Sequence, residues 1–452
     1  MSERLSVVYE TQVVATLERG DDGGQELTYT ELAIELAEGR VLLSASLPVR
    51  REPYRQRELM PFFDGLLPEE LVRQRLATRL RIELSDTFGF LREIGRECAG
   101  AFSIIPEGVD PVAAENEGVA WLSKEDLAAT IRDLAARPLG IEPAQDIRIS
   151  LAGAQAKLVV VVADGRIGLP RGTTASTHIL KPASQVLRER SRRPAFPGLV
   201  ANEAFCMKLA ELSGLNVASV ELMTIDTEPA IIIPRYDREL VEGHSRRLHQ
   251  EDFCQALGVP GYRKYEKDGG PGLPEYLDLI GRHSSRVVDD EPELIQRIAF
   301  NYAIGNADAH AKNFSILYPE LGVARLAPAY DLISTYVYGH LTHDMATSIN
   351  GMYDSRALQP IHWQREFVRL GLRERLYAGW MSDLADRVEA AVPDALAWID
   401  GEGLGNRVVD AIVAVVNERL AILRGVQQLS GPSARTSSRE DARSKRAPES
   451  AS

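Results

Sequence analysis

The hydrophobic rhythm of the chain changes several times, and each change marks a unit. Between residues 5 and 48 apolar and polar positions alternate in short pieces, LSVVYE, QVVATLE, LTYTEL and RVLLSASLPV, broken by GDDGG and EGR. Successive side chains of a strand point to opposite faces, so a period of two predicts strands of an antiparallel sheet. From Met60 the spacing turns helical: PFFDGLLPEELVRQRLATRL places apolar residues at helical intervals, with Pro68, Glu69 and Glu70 suited to a helix start. GRECAGAFSIIP sets small residues beside a short strand, which predicts close backbone packing. Residues 107–147 hold an acidic turn, GVDPVAAENEG, and one amphipathic helix, SKEDLAATIRDLAA, and read as a connection.

A new unit begins at Ile149. IRISLAGAQAKLVVVVADGRIGL predicts a strand, a turn of small residues, a strongly β-forming strand and a hairpin turn at Asp164-Gly165. HILK (178–181) is a short strand ending in Lys181, and Asn202 to Gly214 is a helix with a glycine stop. Val217 to Met223 and Pro229 to Pro234 are two more strands. Beyond RYDR (235–238) helices dominate. Asp289-Asp290-Glu291-Pro292 starts one that carries Leu294, Ile295, Ile298 and Tyr302. Phe314 to Tyr318 and Val323 to Ala327 then pair across Glu320-Leu321-Gly322, and residues 364–428 hold several amphipathic helices. From Ser430 the chain is polar and aperiodic, which predicts a disordered tail.

Composition narrows the class. A chain of 452 residues has room for more than one core, and 44% hydrophobic residues with interspersed charges fit a globular protein. The net charge of −13 argues against a large basic nucleic-acid footprint on this chain, while leaving room for a DNA-binding partner. Cys98, Cys206 and Cys254 are far apart, with no CxxC to hold zinc, and read as reduced thiols of a cytoplasmic protein. MSERLSVVYE lacks the layout of a signal peptide, and no run near 18 apolar residues predicts a membrane span.

The candidate chemistry centres on NYAIGNADAHAKNFS (301–315) and the answering PAYDL that ends at Leu332. The hairpin between them would bring Asp308, Asn313 and Asp331 to one end of a small sheet. A loop Asp alone is usually a turn or cap residue. Two carboxylates and a carboxamide together suit Mg2+, which takes a few oxygen ligands and keeps waters for phosphate oxygens. The step from Asp308 to Asn313 matches the spacing of a kinase catalytic loop from base to metal-binding Asn, with Asp331 as the second metal ligand. His310 and Lys312 either touch phosphate or neutralise the acidic cluster. Lys181 could reach the α- and β-phosphates, oriented by Glu203 or Glu211; the plainer alternative is a surface lysine. Ala152, Gly153 and Ala154, in the stretch from Ser150 to Lys157, leave room for phosphates under backbone N–H groups, although a simple β-turn would look the same. His340 and His343 read as loop histidines, and Asp237, Glu251 and Asp252 as helix caps or solvated faces.

This order of elements resembles a protein kinase: an α+β, two-lobed fold with a β-rich N-terminal subdomain and a mostly helical C-terminal lobe. At ISLAGAQAK, HILKP, NEAF, RYDR, LHQEDFCQALG, KYEKDGGPG, GNADAHAKNFS and PAYDL the sequence resembles the HipA family, the serine/threonine-kinase toxins of bacterial type II toxin–antitoxin systems. LSASLPV, FFDGLLPEE and GRECAGAFS resemble the N-terminal subdomain of that family, so the likeness spans about residues 5–425. The implied division is an N-terminal subdomain (1–110), a connection (111–147), a small-lobe core (148–236), a helical catalytic lobe (237–429) and a tail (430–452).

Residue by residue, the resemblance implies Asp308 as catalytic base, Asn313 and Asp331 as Mg2+ ligands, and Lys181 on ATP phosphate. Ala152, Gly153, Ala154, Gln155, Ala156 and Lys157 would form the phosphate loop, and Pro234, Arg235 and Tyr236 the hinge facing adenine. His310, Ala311, Lys312 and Tyr330 would complete the nucleotide site, and Ser150 would be the site of autophosphorylation. A phosphate there would repel the ATP phosphates and inactivate the enzyme. The resemblance further implies a small helix-turn-helix antitoxin of the HipB type, operator DNA bound mainly through it, and a translation protein, notably an aminoacyl-tRNA synthetase, as substrate. The sequence departs from the family at Asp344-Met345, where Leu-Lys is frequent. Two rival readings are a catalytically weak kinase fold acting as corepressor, and a small-molecule phosphotransferase.

Overall fold

The structure, a computed structural model, describes residues 2–111, 118–134, 138–141, 157–183, 196–241 and 244–429. Ser150, the turn from Ala152 to Ala156 and the tail from Ser430 lie outside the described residues.

The first alternating pieces are strands. β1 (Glu3–Tyr9), β2 (Gln12–Arg19) and β3 (Gln25–Tyr29) form an antiparallel meander, extended by β4 (Tyr54–Arg55) and β5 (Phe102–Pro106) in the order β4-β3-β2-β1-β5. The expectation fails at two places. LTYTEL leaves its strand at Tyr29, because the Thr30 hydroxyl accepts from Ala33 N at 3.3 Å and caps helix α1 (Glu31–Ala37). RVLLSASLPV is no strand: it folds back on itself, with an isolated bridge between Ser44 and Leu47 and Val49 N donating to Arg40 O at 2.9 Å. Leu42, Leu43, Leu47 and Val49 are buried in the core, while Ser44, Ala45 and Ser46 bond to Glu251 and Gln255 of the other lobe instead of to a strand. The helical spacing after Met60 gives α2 (Gln56–Gly65) and α3 (Glu70–Leu80), and α3 starts within the Pro68, Glu69 and Glu70 that the sequence suits to a helix start. α4 (Thr87–Ile94) follows.

The second sheet is antiparallel, in the order β10-β11-β9-β7-β8-β6. Its edge strand β6 (Val119–Trp121) and helix α5 (Lys124–Arg132) come from the segment read as a connection. β7 (Leu158–Ala163) and β8 (Arg166–Pro170) join through Asp164 and Gly165, both at positive φ as the tight hairpin turn requires. β9 (His178–Pro182) is central and carries Lys181; α6 (Leu199–Leu212) then leads to β10 (Glu221–Ile225) and β11 (Glu228–Pro234). Leu158, Val159 and Val160 are all fully buried, because the N-terminal unit covers this sheet and shares one core with it.

The remaining chain builds the helical lobe. After the hairpin β12 (Arg238–Val241) and β13 (His244–Arg247), β14 (His249–Asp252) pairs with β15 (Ser315–Glu320) and β16 (Val323–Leu326) in a small sheet. α7 (Phe253–Ala256), α8 (Leu273–His283) and α9 (Val287–Ile304) lie between them in sequence. The pair β17 (Asp344–Ile349) and β18 (Met352–Asp354) precedes α10 (Pro360–Arg369), α11 (Glu374–Gly401) and α12 (Arg407–Leu429). α9 stops at Gly305 (φ +75), where a Cβ would stand 2.7 Å from Tyr336 Cβ. Only glycine allows that turn, and it delivers the chain to Asp308. The three cysteines are buried and free, and no helix among the described residues is long and apolar enough to cross a membrane.

Candidate active site

A cavity of about 810 Å³ lies where the second sheet, the helical lobe and α3 meet. Lys181 comes to it from β9. Its ammonium is buried, with Nζ 2.6 Å from Glu203 Oε1 and 2.7 Å from Asp331 Oδ1. Glu203 is therefore the partner on the helix; Glu211 pairs instead with Lys208 at 2.9 Å. Burial alone would pull the lysine's pKa down, but Asp331 and Glu203 outweigh it and hold Lys181 cationic. Burial likewise pushes against ionised Asp331, yet the Lys181 charge keeps its carboxyl at about 2. Asn202, one position before Glu203, fixes the backbone just beyond Asp331: its Oδ1 accepts from Ser334 N at 2.8 Å and its Nδ2 donates to Ser334 O at 2.9 Å. Asp331 itself sits at φ +58 with its side chain 40% exposed, facing the cavity. Asn313 Nδ2 reaches Asp331 Oδ2 at 3.3 Å.

Asp308 lines the same cavity with its side chain 55% exposed. Its backbone N–H donates to Asn306 Oδ1 at 3.0 Å, which shapes the loop after Gly305. The Tyr265 hydroxyl donates to Asp308 Oδ1 at 2.5 Å, and the Tyr265 ring meets His310 edge-on at 5.1 Å. Burial, reinforced by the Lys264 charge, pushes the His310 imidazole down to about 3, so it is neutral at ordinary pH. Lys312 turns toward the N-terminal unit: Nζ lies 2.7 Å from Glu69 Oε1 and 3.6 Å from Asp252 Oδ2. These partners are Glu69 and Asp252, not the Asp308 and Asp331 of the acidic cluster. Tyr330 donates to Lys312 O at 2.8 Å and meets Ser315 Oγ at 2.7 Å, which braces the backbone through Ala311 to Asn313.

Pro234, Arg235 and Tyr236 line the cavity at the end of β11. The Arg235 guanidinium is turned away, bonded to Glu97, Asp237, Ser176 Oγ and the Cys98 carbonyl. The Tyr236 ring stacks on Tyr330 with centroids 5.8 Å apart, and its hydroxyl donates to Gln250. Lys157, the one described residue of the small-residue turn, also lines the cavity, and burial beside Lys181 lowers its pKa to about 8.

Asp252 caps α7, accepting from Gln255 N at 2.8 Å, as a cap residue should. Asp237 and Glu251 correct the sequence reading, since neither caps a helix or faces solvent. Asp237 is buried against Arg235 and Arg238 and accepts from Gly100 N at 2.8 Å. Glu251 is buried and accepts from Ser44 Oγ at 2.5 Å, Ala45 N at 2.9 Å and Tyr318 OH at 2.6 Å, joining the two lobes. His340 and His343 pack on Tyr338 and Tyr336 respectively. The sequence reading gave no role to Tyr265 or to a pairing of Glu69; the only signal was that both lie in motifs of the resemblance, KYEKDGGPG and FFDGLLPEE.

Among the described residues no three His, Cys, Asp or Glu side chains gather to hold a metal. The donor set at Asp331 and Asn313 is one carboxylate and one carboxamide, which fits a cation that takes its other ligands from phosphate and water.

A family model described as the HipA-like C-terminal domain matches residues 149–392, and one described as the HipA N-terminal domain matches residues 5–105. The chain is similar to the putative kinase Y4mE of Sinorhizobium fredii, 38% identical over 396 residues that cover 87% of this chain and 91% of that protein. It is similar to the serine/threonine-protein kinase toxin HipA of Shewanella oneidensis, 28% identical over 351 residues covering 75% and 77% respectively. Its fold is that of the Shewanella oneidensis HipA solved with HipB and operator DNA: TM-score 0.79 at 24% identity, over 94% of this chain and 99% of that one. The expected α+β, kinase-like fold is thus the one observed, and this chain belongs to the HipA family of kinase toxins.

Proposed function

We propose that the chain transfers the γ-phosphoryl group of ATP, in the presence of Mg2+, to a serine or threonine of a translation protein, an aminoacyl-tRNA synthetase first among them, and so arrests growth. The observation that carries the reading is Lys181 bridging Glu203 and Asp331 at 2.6 and 2.7 Å, in the cavity that also holds Asp308. Lys181, kept cationic by Glu203, would bind the α- and β-phosphates. Asp308 would take the proton of the acceptor hydroxyl as that hydroxyl's oxygen forms the new bond to the γ-phosphorus and the bond to the bridging oxygen breaks, releasing ADP. Mg2+ held by Asn313 and Asp331 would supply charge neutralisation on the phosphates. The backbone of Pro234 to Tyr236 would face adenine, with the Arg235 side chain serving as anchor.

The identity of the substrate, autophosphorylation at Ser150, neutralisation by a helix-turn-helix antitoxin and operator binding through it rest on the family resemblance, as does the division at residues 110, 147, 236 and 429. The acidic balance of this chain supports a partner that carries the basic DNA-binding surface. The buried free thiols fit a reducing cytoplasm.

The test is radiolabelled phosphate transfer from ATP with Mg2+, for the wild type and Asp308→Asn, with the modified residue mapped. Label at Ser150 that vanishes in the variant is the expected result. Folded protein, freed of any antitoxin, that neither binds ATP nor transfers phosphate would overturn the reading in favour of a corepressor.

A further inference from the structure

One wall of the cavity is not explained by nucleotide chemistry. It is α3 of the N-terminal unit, which contributes Leu71, Val72 and Arg75. Val72 and Leu76 form the buried stripe of this helix. Leu71 and Arg75, also one turn apart, form the stripe beside it, and both are exposed, Leu71 by 40%. The other cations of the cavity have carboxylates close by. Lys181 has Glu203 and Asp331, Arg235 has Asp237, Lys264 and Lys312 share Glu69, and Lys267 has Asp344 at 2.7 Å. Lys157 stands in the field of Lys181 and Asp331 on the nucleotide side. Arg75 has no carboxylate partner among the described residues.

The helix is registered on the catalytic loop. Glu69, its N-cap, binds Lys312 and Lys264, and the Lys264 carbonyl accepts from Ala311 N at 3.2 Å. Arg75 lies six positions beyond Glu69, roughly 9 Å along a helix, a span that an extended peptide covers in about three residues.

We propose that Leu71 and Arg75 are the docking face for the acceptor segment of the protein substrate, and that this segment carries an acidic side chain within about four residues of its phosphoacceptor, next to an apolar one. The proposal rests on the kinase reading and adds the recognition chemistry of that site. Arg75 supplies the charge that selects a carboxylate, and Leu71 the apolar surface that a neighbouring side chain covers.

The experiment is an oriented library of serine- and threonine-centred peptides, phosphorylated by the full-length chain with ATP and Mg2+, alongside Arg75→Glu and Leu71→Ser. Both positions are exposed, so the variants should melt as the wild type does. The wild type should enrich Asp or Glu at one position near the acceptor by about ten-fold, of the order expected for one close charge pair. In Arg75→Glu that selection should reverse toward Lys or Arg, with the KM for ATP unchanged; Leu71→Ser should lose the apolar preference alone. A library phosphorylated without acidic selection, or selection unmoved by the charge reversal, overturns the docking face. So does a raised KM for ATP in Arg75→Glu, which would make the arginine a nucleotide ligand. ATP binding without transfer to any peptide also overturns it and leaves the kinase reading standing, whereas absence of ATP binding removes both.

Discussion

Glu69 of the N-terminal unit lies 2.7 Å from Lys312 inside the GNADAHAKNFS motif, and its other oxygen lies 2.8 Å from Lys264. The N-terminal unit therefore bears directly on the loop that carries Asp308 and Asn313. Glu69→Gln would leave Lys312 buried with only Asp252, at 3.6 Å, to balance it. Removing one partner of a buried pair costs about 3–5 kcal/mol, and the remaining carboxylate should reduce this to about 2 kcal/mol. Denaturant unfolding measures it, and phosphoryl transfer should fall with it.

The same pair sets a pH dependence. Burial opposes ionised Glu69, but Lys312 and Lys264 outweigh it and hold its carboxyl at about 2, below the ordinary 4.5. A carboxyl depressed in the folded state contributes stability that is present above its unfolded pKa and lost as pH falls toward the folded one. The stability gap between wild type and Glu69→Gln should therefore be constant above about pH 5 and close between about pH 4.5 and 2. Thermal melts across that range check it, and a gap that widens in acid would contradict the assignment.

Tyr265→Phe removes the hydroxyl from Asp308 and keeps the ring against His310. Asp308 is 55% exposed, and this bond restrains its side chain. On the proposed mechanism Tyr265 acts through Asp308 and is a positioning residue. Loss of alignment of a reacting group costs roughly ten- to a hundred-fold in rate. Steady-state kinetics should show that fall in kcat with the KM for ATP unchanged.

Asp331→Asn tests the proposed Mg2+ ligand. Asn tolerates the left-handed backbone that Asp331 adopts at φ +58, so the fold should survive. Titration calorimetry with ATP should show Mg2+ strengthening binding to the wild type and having little effect on the variant. Equal Mg2+ dependence in both would remove Asp331 from the ligand set.

Much of this was legible in the sequence because it depends on local pattern. Asp164-Gly165, Gly214 and Gly322 mark turns that the backbone takes with positive φ at those residues, and the helix bearing Glu203 stands where its apolar spacing put it. What was not legible depends on contacts between distant segments. RVLLSASLPV has strand-like composition, yet its serines bond to Glu251 and Gln255 across the lobe boundary. Glu251 and Asp237 look like ordinary surface carboxylates until the fold buries them among donors and arginines. Tyr265 reaches Asp308 from a loop that closes tightly at Gly270, where a Cβ would stand 1.8 Å from Arg263 O. No local period encodes such pairings.

The shared core bears on whether the kinase half can stand alone. Leu5, Val7, Leu17 and Leu27 of the first sheet lie in one buried cluster with Leu158, Val159, Val160 and Leu180 of the second. Between them Glu97 takes Arg235, Arg238 and Arg247, and Gly100 donates to Asp237. Deleting residues 1–110 would expose the apolar face of β7 and leave three arginines without Glu97. Each fully exposed Val or Leu forfeits about 1.5–3 kcal/mol, so four of them together approach the roughly 5–15 kcal/mol that holds a domain folded. A chain starting at Pro111 should therefore be insoluble or unfolded by circular dichroism, and limited proteolysis of the whole chain should yield no stable fragment of residues 149–429. A folded fragment of that kind with full ATP affinity would mean that the N-terminal unit serves substrate and partner binding alone.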